Sequence, residues 1–269
     1  MTHAAVDQLL TVPEALRAWV PGARRVSLPD ASEDALVHLP DAATRLVVRV
    51  GPRGERDVLA VGPRLRAAYY RGTSRVSCVE LRLAPGTVRP LLGVPAAELV
   101  GRAVRLEALP TRAAHRLARE LRWTGPEETV ARAAAVLPEL MAEAADPSRT
   151  ALLRAGVEAL SVRAGRTPGQ VGEVARELAV SERQLRNLFA EGVGVSPKHY
   201  ARIDRVRAVV DRAPTAPWAE LAAATGYYDQ SHMTTDFRSL MGVPPRSYFT
   251  GRLPASSPCQ MTARTPTGS

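Results

Sequence analysis

The chain has 269 residues, 45% of them hydrophobic and only 4% aromatic, so its core must rest on Leu, Val and Ala rather than on rings. Its 36 basic residues exceed its 27 acidic ones for a formal charge of +9. Residues 1–150 (21 Arg against 17 Asp and Glu) and 151–252 (14 basic against 10 acidic) share that excess equally, so charge alone marks neither half as a polyanion-binding unit.

Two distant cysteines, Cys78 and Cys259, argue against a disulfide framework or a CxxC zinc site and fit a reducing compartment. There is no signal-type leader and no apolar run of about 18 residues, so a soluble cytoplasmic chain without a membrane partner is expected.

Residues 1–20 read as a short amphipathic helix or a loosely packed leader anchored by Leu9, Leu10, Leu16 and Trp19. From Arg24 to Leu92 the pattern becomes short β-branched runs between turn signals: 35–39, 44–50, 58–61, 69–70 and 75–83. The last run alternates polar and apolar residues with one slip near Val79. Turns fall at Gly51-Pro52, Arg53-Gly54, Gly62-Pro63, Arg71-Gly72 and Pro85-Gly86. Short strands at such spacing predict an antiparallel sandwich or small barrel. Pro95–Leu99 reads as a single helical turn. Residues 111–123 and 127–145 read as two Ala/Leu helices that could cap the sheet or form a dimer seam, with Asp146-Pro147-Ser148 as a linker.

From Thr150 onward the pattern is helical. Val171, Val174, Ala175 and Leu178 mark one helix, which leads into Ser181-Glu-Arg-Gln-Leu-Arg-Asn-Leu-Phe189. Ser181 with Gln184 forms a capping-box pattern. Leu185, Leu188 and Phe189 give that helix one apolar face, and Arg183, Arg186 and Asn187 line the other. Arg and Asn make the two commonest bidentate contacts to guanine and adenine, although an Arg-rich face is also the usual solvated surface. Ser196-Pro197 opens a helix to about Arg212, 218–225 a short one, and 229–241 another, before a closing segment at 243–248. Residues 253–269 are too polar to predict a fold and are expected to be disordered.

A shift of 48 residues superposes two segments. Ser181 falls on Asp229, Leu185 on Met233, Phe189 on Phe237, Gly194 on Gly242, Val195 on Val243, Pro197 on Pro245 and Tyr200 on Tyr248. Caps, apolar anchors, glycine and proline in common register indicate a helix-turn-helix unit present twice. The outer face of the second copy is Gln230, Ser231, Thr234, Thr235 and Arg238.

The residues Ser181–Phe189, Gly192–Tyr200, Arg205-Val206, Gly226–Met233, Phe237-Arg238 and Gly242–Pro245 carry a resemblance. The stretch from about Thr150 to Arg252 resembles the paired helix-turn-helix DNA-binding domain of AraC-type transcriptional regulators. The resemblance implies two recognition helices entering successive major-groove faces, roughly 34 Å apart. It places Arg183, Arg186 and Asn187 at base-reading positions of the first helix, and Gln230, Ser231, Thr234 and Thr235 at those of the second. Gln184, Lys198 and Arg238 complete the expected DNA-binding set. The chain departs from the family at Thr235, where Arg is common, and at Asp236, where a small residue is usual. An Asp beside the groove would repel phosphate, so the second unit is expected to contribute less affinity.

The expected architecture is therefore α+β. A β-rich domain (1–147) that is sandwich- or barrel-like, with helices, precedes an all-α domain of two helix-turn-helix units (148–252) and a tail (253–269). The expected partner is double-stranded DNA, with RNA polymerase added if the protein activates. The N-terminal half is similar to a family's sensing or dimerisation domain, so a small-molecule effector and a homodimer both stay open, beside the alternative that this half only dimerises. No cofactor is expected. His3, His38, His115, His199 and His232 show no metal-ligand spacing, neither cysteine has an activating neighbour, and no G-x-S-x-G or phosphate-loop motif occurs, so catalysis is not expected. His232, Trp218, Tyr227 and Tyr228 read first as packing or turn-anchoring residues.

Overall fold

The computed structural model describes residues 6–28, 35–51, 53–71, 76–142, 146–163, 168–213 and 216–258. Pro52 and Gly72 of two expected turns, residues 143–145, Arg166-Thr167 and positions 259–269, Cys259 among them, lie outside them.

Among the described residues, the N-terminal half begins with strand β1 (Val6–Leu10), helix α1 (Glu14–Arg17) and strand β2 (Gly22–Leu28). Strands β3 (Ala35–His38), β4 (Arg45–Val50), β5 (Arg56–Val61), β6 (Ala68–Arg71) and β7 (Val76–Arg82) follow, then α2 (Val88–Leu92), a 3-10 turn at Ala96–Leu99 and β8 (Ala103–Arg105). Helices α3 (Arg112–Leu121) and α4 (Pro126–Ala142) close this half. The larger sheet runs β1-β2-β7-β4-β5-β8, antiparallel throughout. The smaller one pairs β3 with β6.

Alternation along the central strands explains the layering. Leu46, Val48, Val58, Ala60, Val79 and Leu81 face one way, into a core shared with Leu16 of α1 and with α2, α3 and α4. Val26, Val47, Leu59 and Cys78 face the other way and meet Leu36 of β3 and Tyr70 of β6. The apparent slip at Val79 is therefore no bulge: β7 pairs continuously with β2 and β4, and both of its faces are covered. Helices α3 and α4 cap the sheet through Ala114, Leu117, Leu121, Val130, Ala133 and Leu137.

Two expectations fail, one at the start of the chain and one at its middle. The leader is a strand, β1, followed by the single turn α1. Leu10 and Leu16 are buried, whereas Leu9 is exposed, as the period of two along a strand requires. Asp146–Ser148 is a helix start rather than a linker. The Asp146 side chain accepts a hydrogen bond from Arg149 N–H (3.0 Å), with Pro147 in the first turn.

The second half is helical: α5 (Pro147–Leu160), α6 (Val171–Glu177), α7 (Glu182–Gly192), α8 (Pro197–Arg212), α9 (Trp218–Ala224), α10 (Gln230–Met241) and α11 (Pro245–Phe249). A second cluster joins them through Leu153, Leu160, Val174, Leu185, Phe189, Val206, Leu221, Met233 and Phe237. That core is continuous with the first half, since Ala42 is part of it and Val37, Leu39 and Leu65 pack against it.

Residues 253–258, expected to be disordered, are ordered. Strand β9 (Ser257–Pro258) pairs parallel with β6, and Arg71 Nε donates to Ser256 Oγ at 2.9 Å. An open edge on β6 supplies backbone partners that composition alone does not reveal.

Candidate nucleic-acid interface

The 48-residue repeat is a structural repeat. The Ser181 hydroxyl accepts from Gln184 N–H (3.2 Å) and Gln184 Oε1 accepts from Ser181 N–H (2.8 Å), closing the capping box on α7. Asp229 caps α10 by accepting from His232 N–H (2.7 Å). Phe189 meets the Tyr200 ring edge-on at 5.7 Å and 69°, and Phe237 meets Tyr248 at 5.8 Å and 68°. A left-handed glycine closes each copy: Gly242 (φ 77) is the C-cap of α10, and Gly194 (φ 97) follows Val193, the C-cap of α7. At Gly194 a Cβ would lie 2.8 Å from the Ala96 carbonyl oxygen, so backbone sterics as well as φ demand glycine there.

The duplicated unit is helix–turn–helix: α6 turns into α7, and α9 turns into α10. In both turns the fifth-residue amide closes back, Val180 N–H to Ala175 O (3.0 Å) and Tyr227 N–H to Ala222 O (2.9 Å). These two pairs are related by 47 residues rather than 48, so the second turn is one residue longer before its cap. Ala179 takes the left-handed conformation in the first turn (φ 52) and Gly226 in the second (φ 77).

Each second helix buries one face and presents the other. On α7, Leu185, Leu188 and Phe189 are buried, while Arg183, Arg186 and Asn187 are exposed. Arg186 Nε donates to Glu182 O (3.3 Å), which leaves its terminal nitrogens outward. Gln184 is exposed, but its carbonyl oxygen is committed to the cap, so only its NH2 remains available. Gln184 and Asn187 border a cleft shared with Ser148 and Arg149 of α5.

On α10, Met233, Phe237, Leu240 and Met241 are buried; Gln230, Ser231, Thr235 and Arg238 are exposed, and Thr234 is half-buried. Thr235 Oγ1 donates to Ser231 O (2.9 Å), so this hydroxyl offers an acceptor and a methyl outward rather than a donor. Lys198 is exposed in the first turn of α8, whose N-cap Ser196 accepts from His199 N–H (3.3 Å).

The expectation that Asp236 lies beside the groove is overturned. Asp236 is buried and turned toward α8, where Arg202 Nε donates to Oδ1 at 2.9 Å and Arg205 Nη2 lies 3.9 Å from Oδ2. Arg202 also donates to Ser239 Oγ (3.2 Å). The Arg205 guanidinium stacks over the Tyr227 ring at 4.9 Å, and its Nη1 donates to Gly226 O (3.3 Å). Burial, with the Asp236 charge nearby, pushes the Tyr227 hydroxyl above its ordinary range, so it stays neutral. His232 packs edge-on against Tyr227 at 5.2 Å. This network fixes α10 and its turn on α8, a link the sequence hides because the partners sit 34 positions apart. Tyr227 anchors the turn; Tyr228, beside it, is 94% exposed. Trp218 packs on Phe249 at 5.6 Å.

The N-terminal half touches the far end of both outward-facing helices. Gly86 N–H donates to Gly192 O of α7 (3.3 Å), and Arg89 pairs with Glu191 (2.8 Å). At α10, Ala67 N–H donates to Leu240 O (2.7 Å) and the Tyr69 hydroxyl to Met241 O (2.6 Å). The last carbonyls of a helix lack intrahelical partners, so these bonds complete both C-termini. Burial raises the Tyr69 hydroxyl to about 12, which keeps it a donor. A third link is electrostatic. Buried Asp41 pairs with Arg45 and Arg82 of the sheet and with Arg207 of α8 (3.6 Å), which also donates to Pro40 O (3.0 Å).

A paired helix-turn-helix with two capped, outward-facing second helices joined by a central helix defines a DNA-binding class of domain. Residues 174–251 match the family model described as a helix-turn-helix domain, and this segment is an AraC-type helix-turn-helix domain. The domain belongs to DNA-binding transcription regulation.

No curated protein sequence matches the chain. Among solved structures, the C-terminal domain of AraT, a response regulator from Geobacillus stearothermophilus, is similar at 22% identity, covering 43% of this chain and 94% of its own, with a TM-score of 0.35. A transcriptional regulator with an AraC-type DNA-binding domain from Chromobacterium violaceum is 19% identical over 44% of this chain and 100% of its own, TM-score 0.34. ToxT from Vibrio cholerae is 9% identical, covering 85% of this chain and 97% of its own, TM-score 0.43. Among the described residues, no cluster of His, Cys, Asp and Glu could hold a metal ion, and no helix is long and apolar enough to cross a membrane.

Proposed function

We propose that this protein is a sequence-specific transcription regulator that reads the major groove with α7 and α10, through a DNA-binding unit spanning about residues 148–252. The observation that carries the reading is the duplicated geometry: the same cap, the same buried Leu/Met and Phe anchors and the same aromatic pair set two polar helix faces outward. Arg183, Arg186 and Asn187 read bases from α7, with the Gln184 amide as an added donor. Gln230, Ser231, Thr234 and Thr235 read from α10, while Lys198 and Arg238 hold phosphates.

The α7 face dominates base reading, because Thr235 has spent its donor on the backbone. Arg186→Ala should cost about 1–3 kcal/mol and relax preference at one base position. The check is equilibrium binding to a set of single-base variants of the bound duplex. An Arg186→Ala protein with the wild-type preference at every position refutes the assignment.

Control by a small molecule is the finer part of this reading. A cleft of about 290 Å³ between the two halves is bordered by Thr44, Arg82, Ser161 and Tyr200. The Thr44 hydroxyl is buried there without a hydrogen-bond partner. A ligand seated in it would bridge the sheet to α5 and α8 and so bias both readers. Thermal shift of the full chain against a metabolite panel tests this. A null panel together with a concentration-dependent dimer supports the alternative, in which the N-terminal half only dimerises.

A further inference from the structure

We infer that the N-terminal half contributes a DNA-backbone contact of its own: Arg66, with Arg238 of α10, forms a two-sided phosphate clamp beside the second recognition helix. This deepens the DNA-reading proposal above and rests on it. An open cleft of about 700 Å³ separates the segment at 66–69 from the outer face of α10. Thr234, Thr235, Arg238 and Ser239 line one side of it, and Arg66 and Tyr69 the other. Thr234, Thr235 and Arg238 are the residues that α10 would turn toward DNA, so Arg66 borders the space a duplex would enter.

Three features make this a site for a phosphate ridge. The Arg66 and Arg238 side chains are both exposed, and neither guanidinium forms a hydrogen bond or ion pair with any described residue. The cleft is lined by no Asp or Glu. The one acid on this stretch of α10, Asp236, is turned away and neutralised by Arg202. The position of Arg66 is also fixed rather than incidental. The next residue, Ala67, donates its N–H to Leu240 O at 2.7 Å, and Tyr69 holds Met241 O at 2.6 Å. Arg66 is therefore carried at a set distance from the reading face, as a positioning phosphate contact must be. A guanidinium on each side of a backbone ridge also presents the forked donor geometry that phosphate accepts.

The test uses the full-length protein and compares Arg66→Ala, Arg66→Lys and wild type. Each binds a preferred duplex and a scrambled duplex over a series of salt concentrations. Loss of one phosphate contact should lower the slope of log K against log salt by about 0.9. It should weaken binding to both duplexes alike, on the order of tenfold at low salt, with base preference unchanged. Arg66→Lys should keep the slope. An Arg66→Ala protein with the wild-type slope and affinity overturns the clamp while leaving base reading by α7 and α10 intact. Tighter binding by Arg66→Ala also overturns it, because Arg66 would then obstruct the duplex. A wild-type protein with no preference between the duplexes refutes the underlying DNA-reading proposal instead.

Discussion

Replacing Asp236 separates two opposite accounts of α10. Removing the carboxylate by Asp236→Ala leaves the Arg202 and Arg205 charges near each other in a partly buried site without their counter-charge, and leaves Arg202 Nε without its acceptor. Removing one partner of a fully buried ion pair costs about 3–5 kcal/mol. Here the Arg202 and Arg205 side chains retain 26% and 19% of their exposure, so water recovers part of that, and about 2–3 kcal/mol is expected. At roughly 2–4 °C per kcal/mol for a chain of this size, calorimetry should show Tm falling by roughly 5–10 °C. Asp236→Asn, which keeps an acceptor for Arg202, should lose less. DNA affinity should fall as well, since α10 and its turn are tied to α8 through this residue. If Asp236 instead stood beside the groove, its removal would leave Tm unchanged and tighten DNA binding by deleting a like charge. That pair of results would refute the buried-bridge account.

Other consequences follow from the seam and the sheet. Burial opposes ionisation of Asp41, but Arg82, Arg45 and Arg207 outweigh it and hold the carboxyl at about 2, below its ordinary 3.8. Its stabilisation is therefore full above about pH 4 and lost as pH falls from there through 2, about 2 kcal/mol in all; urea unfolding between pH 2 and 6 should show this slope and Asp41→Asn should lack it. His38 is held down at about 4 from an ordinary 6.5, by burial first and then by Arg64, despite an opposing pull from Glu80. The unfolded chain therefore takes up that proton first, and stability should fall between pH 6.5 and 4 by roughly 3 kcal/mol; His38→Phe, beside Tyr70, should flatten that window.

The helical half was legible because its sequence states the same structure twice. Ser181 and Asp229, Phe189 and Phe237, Gly194 and Gly242 recur in register, and each holds the same structural role in both copies. Strands β3 to β7 were legible from β-branched runs and turns. Strand β2 was not, because Arg24 and Arg25 break its apolar pattern; Arg24 is held there by Glu80 of β7 (2.7 Å), 56 residues away. Strand β1 was hidden by the adjacent Leu9 and Leu10, which fit a helix as well as a strand. Strand β9 has no pattern of its own and exists because β6 offers an edge. At the interface, the exposed faces of α7 and α10 followed from periodicity. The inward turn of Asp236, the cap on Gln184, the backbone bond of Thr235 and the approach of Arg66 all depend on tertiary partners, which single-helix periodicity does not encode.

Selection of duplexes from a random library by the full-length protein tests the central claim most directly. Two recognition helices predict enrichment of a two-part motif, its parts about one helical turn (roughly 10–10.5 base pairs) apart. Arg186→Ala should blur one part and a Gln230→Ala, Ser231→Ala double variant the other. Recovery of no enriched sequence, or of a single part indifferent to changes on α10, would contradict a paired reader.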